Sequence, residues 1–175
     1  MTQQLSWNIA SAAVTKEIFE LAEGQEFDLK EILDVFDLFV LTWGSSEAPL
    51  WALTNENLGR HGMENLSKEN LWKSLGAIAI GWGRGNGHLI FEETVAATLI
   101  KKQHDYGHKN IARFGFIGLL IRVHDKIARL ENLISKEANP NNESIDDTIM
   151  DIVGYSAIGM MWERNQFMLD LETNG

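Results

Sequence analysis

Apolar residues recur along most of the chain at helical spacing, and strand-like alternation is absent throughout. Ile32, Val35, Phe36 and Phe39 fall at i, i+3, i+4 and i+7, the stripe of a helix that buries one face. Asp28 and Glu31 stand in capping-box spacing at its start, and Gly44-Ser45-Ser46 ends it. A periodic run over 12–22 precedes it, and residues 47–66 predict only short helix and loop. Ser67 then caps a helix that dissolves into Gly83-Arg84-Gly85-Asn86-Gly87. That glycine cluster lacks the Lys-Ser/Thr and the preceding strand of a nucleoside-triphosphate loop, so it reads as a hinge. Three longer helices follow: 89–106, stopped by Gly107; 116–137, broken at Asn139-Pro140; and one from Asn142 or Glu143 to about Phe167. The expected fold is all-α, an antiparallel helical bundle over 86–175 with an N-terminal helical region of unassigned role over 1–85.

The last of these helices carries a conflict. Ile145, Ile149, Ile152, Val153, Ile158, Met160, Met161 and Trp162 cover nearly its whole circumference, the mark of a buried helix. Yet Glu143, Asp147 and Asp151 share one stripe of it. Two carboxylates about 4 Å apart at an effective dielectric near 20 repel by roughly 4 kcal/mol. A cation is therefore expected to face them, either a divalent ion or an Arg/Lys cluster.

The preceding helix supplies such a cluster. Arg122, Asp125, Lys126 and Arg129 fall at i, i+3, i+4 and i+7, beside the apolar face of Leu119, Val123, Ile127 and Leu130. The plain alternative is a solvated face with an internal Asp125–Arg129 pair worth tenths of a kcal/mol. In helix 89–106, Glu92 falls within the core face, as an inward carboxylate or as a first-turn acid complementing the dipole. Asp105 sits in the last turn, an unfavourable place for an acid, which argues for a functional reason.

Charge sharpens this picture. The chain of 175 residues carries a net charge of −10, which excludes a general nucleic-acid binder but not a small anion held locally. Between Lys101 and Arg129 seven basic residues stand against Asp105 and Asp125, and from Glu131 to Glu172 nine acids face Lys136 and Arg164. A basic island followed by a carboxylate-bearing helix suits a metal-assisted phosphate site. Cysteine is absent, which removes disulfides and thiolate metal sites. The N-terminus lacks a signal-peptide pattern, and no apolar run reaches the roughly 18 residues a membrane span needs. A cytoplasmic protein without a membrane partner is expected.

HDYG over 104–107, Asn110-Ile111, Gly118 with Arg122, Asp125-Lys126 with Arg129-Leu130, and Glu143-Ser144 with Asp147-Thr148, Asp151 and Tyr155 carry a resemblance. Over roughly 88–165 they resemble the nucleotide-modification-associated domain of the first type, a family frequent in phage genomes. Through it the chain is similar to the all-α MazG and dimeric dUTPase group of nucleoside-triphosphate pyrophosphohydrolases. The resemblance implies Mg²⁺ (or Mn²⁺), cleavage of an NTP or dNTP to monophosphate and pyrophosphate, and a homodimer or higher homo-oligomer. Those enzymes carry Glu-x-x-Glu and Glu-x-x-Asp pairs, whereas the acids here are spaced as Glu143, Asp147 and Asp151.

In this reading Glu143, Asp147 and Asp151, with Asp125, hold the metal. Arg122, Lys126, Arg129 and Lys109 neutralise the phosphates, and Tyr155 or Tyr106 stacks on the base. Asp105 or Glu92 orients the attacking water. Two other readings compete. One is an HD-type phosphohydrolase built on His104-Asp105 and His124-Asp125 with His61 or His88. The other is a nucleotide-binding protein that sequesters or senses its ligand without turnover.

Overall fold

The computed structural model describes residues 4–40, 67–135 and 142–172, with the side chains of Phe39, Asn142 and Glu143 excepted. Among the described residues there are seven helices and no strand: α1 (Trp7–Ala22), α2 (Lys30–Phe39), α3 (Lys68–Gly85), α4 (Glu92–Tyr106), α5 (Lys109–Ala112), α6 (Gly115–Ser135) and α7 (Asn142–Glu163). The all-α expectation holds.

Local chemistry sets the helix starts. Ser6 accepts from the Ile9 amide at 3.1 Å, so α1 begins ahead of the expected run, and Trp7 and Ala10 already face the core. Half of the capping box ahead of α2 is formed: the Asp28 amide donates to Glu31 Oε2 at 2.8 Å, while the Asp28 side chain accepts from the Lys30 amide at 3.3 Å. Ser67 caps α3 by accepting from the Asn70 amide at 3.1 Å. The expected loop and short helix over 47–66 lie outside the described residues.

α3 continues through part of the glycine cluster and leaves it by a hydrogen-bonded exit. The Gly83 carbonyl accepts from the Asn86 and His88 amides at 3.1 and 2.7 Å. A Cβ on Gly83 would stand 2.9 Å from the His88 carbonyl oxygen, so the chain can double back only over a glycine. Buried residues from both sides of position 85 enter one hydrophobic core, so the expected division at 85/86 does not separate two cores.

α7 is the central helix. It packs most extensively on α3 and next on α6, and Ile149, Ile152, Val153, Met160 and Met161 are fully buried. α4 packs on α1 and only lightly on α7, which leaves a cleft between them. The short helix α5 was not anticipated. Gly107 and Gly115 flank it with φ of +67° and +57°, a backbone region open to glycine at little cost.

The two ends of the described chain are tied together. The Trp7 amide donates to the Asp170 carbonyl at 2.9 Å, and the Ser6 hydroxyl donates to Glu172 Oε1 at 2.7 Å. Phe167, 1% exposed, packs edge-on against the Trp7 ring at 6.4 Å.

Just past α7, Arg164 joins three elements. It contacts Glu17 on α1 at 2.7 Å and Glu69 on α3 at 2.6 Å, while Lys73 stands 3.7 Å from Glu17. The hydrogen bond from Arg164 holds the Glu17 carboxyl below its ordinary value of 4.5, against the opposing effect of burial. A depressed carboxylate stabilises the fold above its unfolded value and loses that contribution as pH falls through the folded value. Burial pushes Glu163 and Asp37 upward, so these two favour the fold on acidification. Glu17→Gln is expected to lower the melting temperature at pH 7 and to flatten its fall below pH 4.5. Thermal denaturation across pH checks this, and an unchanged acid slope would remove Glu17 from the network.

Candidate functional site

The cleft between α4 and α7 encloses a cavity of about 190 Å³, closed by Trp7 of α1, by α5 and by α6. Helical periodicity brings its residues together. On α4, Val95, Thr98, Leu99, Lys102, Gln103 and Tyr106 repeat at three- and four-residue steps and share a face. On α7, Met150, Asp151, Gly154, Tyr155 and Ile158 do the same. α5 adds Asn110 and Ile111, and α6 adds Arg122. The wall is mainly apolar. Tyr106, 67% exposed, and the exposed Lys102 mark its mouth.

The charged groups of the site are organised around Asp151. Its Oδ1 lies 3.1 Å from Lys102 Nζ and its Oδ2 3.2 Å from Lys126 Nζ. Arg122 donates from Nη2 to the Asn110 carbonyl at 3.4 Å, which ties α6 to α5. The Gln103 amide nitrogen and His108 Nδ1 are 2.7 Å apart and fix the corner between α4 and α5. Two lysines thus flank one carboxylate at a cavity that Arg122 also lines. Such a group of cations attracts an anion, and the carboxylate holds two of them in place while the site is open.

The structure gathers part of the expected set. Arg122, Tyr106, Tyr155 and Asp151 line the cavity, and Lys126 reaches it through Asp151. Lys109 and Arg129 are exposed and do not line it. Asp105 is exposed beside His104, 3.5 Å away, and Glu92 lines a different depression with Phe19 and Arg84 at the start of α4. Lys102, Gln103 and Trp7 were not anticipated. Lys102 stood within the basic island without a feature to distinguish it, and Trp7 arrives from far along the chain.

The expected buried acidic stripe is corrected. Asp147 is exposed. Four residues along a helix still turn by about 40°, enough here to carry Asp147 to solvent while Asp151 stays in the cleft. The cation opposite Asp151 is a pair of lysines, the second of the two partners considered. Asp125 is exposed as well, and the Glu143 side chain lies outside the described ones. Among the described residues no group of three or more His, Asp or Glu is placed to hold a metal ion.

Among the described residues the histidines are not gathered into a group of three or more metal-ligating side chains. His88 is buried, stacked on Trp82 and 2.8 Å from Asp146, whereas His124 is exposed against the Phe36 ring. His61 lies outside the described residues.

Asp151→Asn is expected to lower the metal-free melting temperature, because Lys102 and Lys126 lose the charge they share. A partly exposed pair of this kind contributes up to about 1 kcal/mol, or roughly 2–4 °C in a chain of this size. A rise in thermal denaturation would instead mean that Asp151 is repelled by its acidic neighbours.

Among the described residues no helix is long and apolar enough to cross a membrane. No curated protein and no solved structure matches the chain. Residues 102–162, which carry most of the charged side of the cavity, match the model of the family described as nucleotide modification associated domain 1.

Proposed function

We propose that the chain binds a nucleotide at this cavity, with the ring portion enclosed and the phosphates at the cationic mouth. One observation carries the reading. Arg122, Tyr106, Tyr155 and Asp151, drawn from three helices, converge with Lys102 on one mainly apolar cavity. An apolar chamber with a few convergent polar groups is the usual form of a small-molecule site. At about 190 Å³ it is smaller than the roughly 300–1,000 Å³ that encloses a drug-sized ligand, so a base fits within and a phosphate chain stays outside. Lys102, Lys126 and Arg122 then supply charge-assisted hydrogen bonds to the phosphates. The family description of residues 102–162 supports a nucleotide as the ligand class.

Binding is favoured over metal-assisted hydrolysis by the state of Asp151, whose two oxygens are each taken by a lysine. Calorimetric titration with dATP, dCTP, dGTP and dTTP, run with and without Mg²⁺ and followed by a pyrophosphate assay, tests this reading. Saturable binding without product is expected. Pyrophosphate release in the presence of Mg²⁺ would make the chain a pyrophosphohydrolase, and no binding of any nucleotide would remove the site.

A further inference from the structure

Two side chains of the cavity carry buried hydrogen-bonding atoms that nothing among the described residues satisfies. Trp7 is fully buried, lines the cavity, and its indole Nε1 finds no acceptor. Asn110 lines the same cavity, and its buried Oδ1 finds no donor. Buried polar groups are nearly always paired, and two orphans in one small chamber call for a common explanation.

Neither residue is free to move. The Trp7 ring is held by Phe167, and its backbone amide by the Asp170 carbonyl. Asn110 sits in α5, with its carbonyl accepting from Arg122. The Trp7 ring and the backbone that carries the Asn110 amide are therefore held in place before any ligand arrives.

We infer that Trp7 and Asn110 read the polar edge of the base of the bound nucleotide. This inference rests on the nucleotide reading above and adds the residues that recognise the ring. An indole N–H only donates, so the ligand atom facing it is a carbonyl oxygen or an unprotonated ring nitrogen. A carboxamide oxygen only accepts, so the atom facing it belongs to an N–H or an amino group. Nucleobases offer both on one edge, and proteins that enclose a base read that edge while apolar side chains cover its faces. Leu99, Ile111 and Ile158 supply such faces here. A hydrocarbon would fill the same volume and leave both orphans unpaired.

Trp7→Phe keeps an aromatic ring in place and removes the N–H together with part of the ring's volume, which the base-free control below accounts for. Its affinity for the best-bound of the four deoxynucleoside triphosphates is expected to fall about tenfold, the effect of one hydrogen bond to a buried donor. Affinity for inorganic tripolyphosphate, which has phosphates and no base, should stay within twofold of wild type. Asn110→Ser removes the amide oxygen at a second position and should give the same pattern, which keeps the test available if Trp7→Phe folds poorly. Wild-type nucleotide affinity in both variants would overturn the inference and leave nucleotide binding standing. Equal losses for nucleotide and tripolyphosphate would also overturn it, since the residues would then act on the shape of the site. A wild-type protein that binds no nucleotide would remove both readings together.

Discussion

Gly159→Ala is expected to lower the melting temperature more than any other single methyl added to α7. Gly159 faces the indole of Trp72 on α3, and an added Cβ would stand 2.3 Å from Cδ2 and 2.5 Å from Cε2. Trp72 is fully buried, so its ring cannot give way without moving α3. Alanine gains about 1 kcal/mol over glycine in a helix interior. Overpacking against a fixed ring costs about 1–3 kcal/mol and sometimes more, and an overlap this deep belongs at or above the upper end. A net loss of about 2 kcal/mol corresponds to roughly 4–8 °C in a chain of this size. Gly154→Ala, one face round the same helix, is the internal control. Its Cβ would meet only Leu99, at an ordinary 3.5 Å, so helix propensity decides and the melting temperature should rise slightly. Thermal denaturation of the two variants compares them directly. Equal shifts would mean that α3 and α7 do not approach as closely as Trp72 and Gly159 require.

Arg122→Ala should weaken nucleotide binding by about ten- to a hundredfold, the range of a lost charge-assisted hydrogen bond to phosphate. Arg122 is half-buried at the cavity and among the described residues engages the Asn110 carbonyl, at a long 3.4 Å, so most of its donors remain for a ligand. Arg122→Lys keeps the charge but loses the forked geometry, and it should fall between alanine and wild type. Lys16→Ala is the control, because Lys16 is exposed on α1 and stands 3.9 Å from Glu20. Calorimetric titration with one nucleotide measures all three. Equal losses at Arg122 and Lys16 would place the phosphates elsewhere.

The fold was largely legible because its signals are local. Ser67 and the Asp28–Glu31 pair announce helix starts within four residues of themselves. The apolar residues around α7 announce a central helix, and α7 is one. α5 was missed because a helix of four residues is too short to show a period. The site was legible only in half. Arg122 and Asp151 stand out as charges on apolar helices, but whether Asp151 faces an ion or lysines depends on where α4 lies, and no local pattern in α7 encodes that. Asp147 shows the same limit, since a modest angular offset decides between core and water only once the neighbours are placed. Trp7 gave no signal at all. Its role arises from contacts between chain segments more than 100 residues apart, such as the one to Phe167.

The tie between the start of α1 and the Asp170–Glu172 tail has a consequence for how the cavity is assembled. The stretch shared with the family runs from 102 to 162 and contains Lys102, Asn110, Arg122, Lys126 and Asp151. Trp7, Val95 and Leu99, and the tail that seats Trp7, fall outside it. The charged side of the cavity thus comes from one continuous stretch, while part of the apolar wall is brought to it by α1 and the first half of α4. If the cavity takes a nucleotide as proposed, the matched stretch faces its phosphates and the rest of the chain faces its ring.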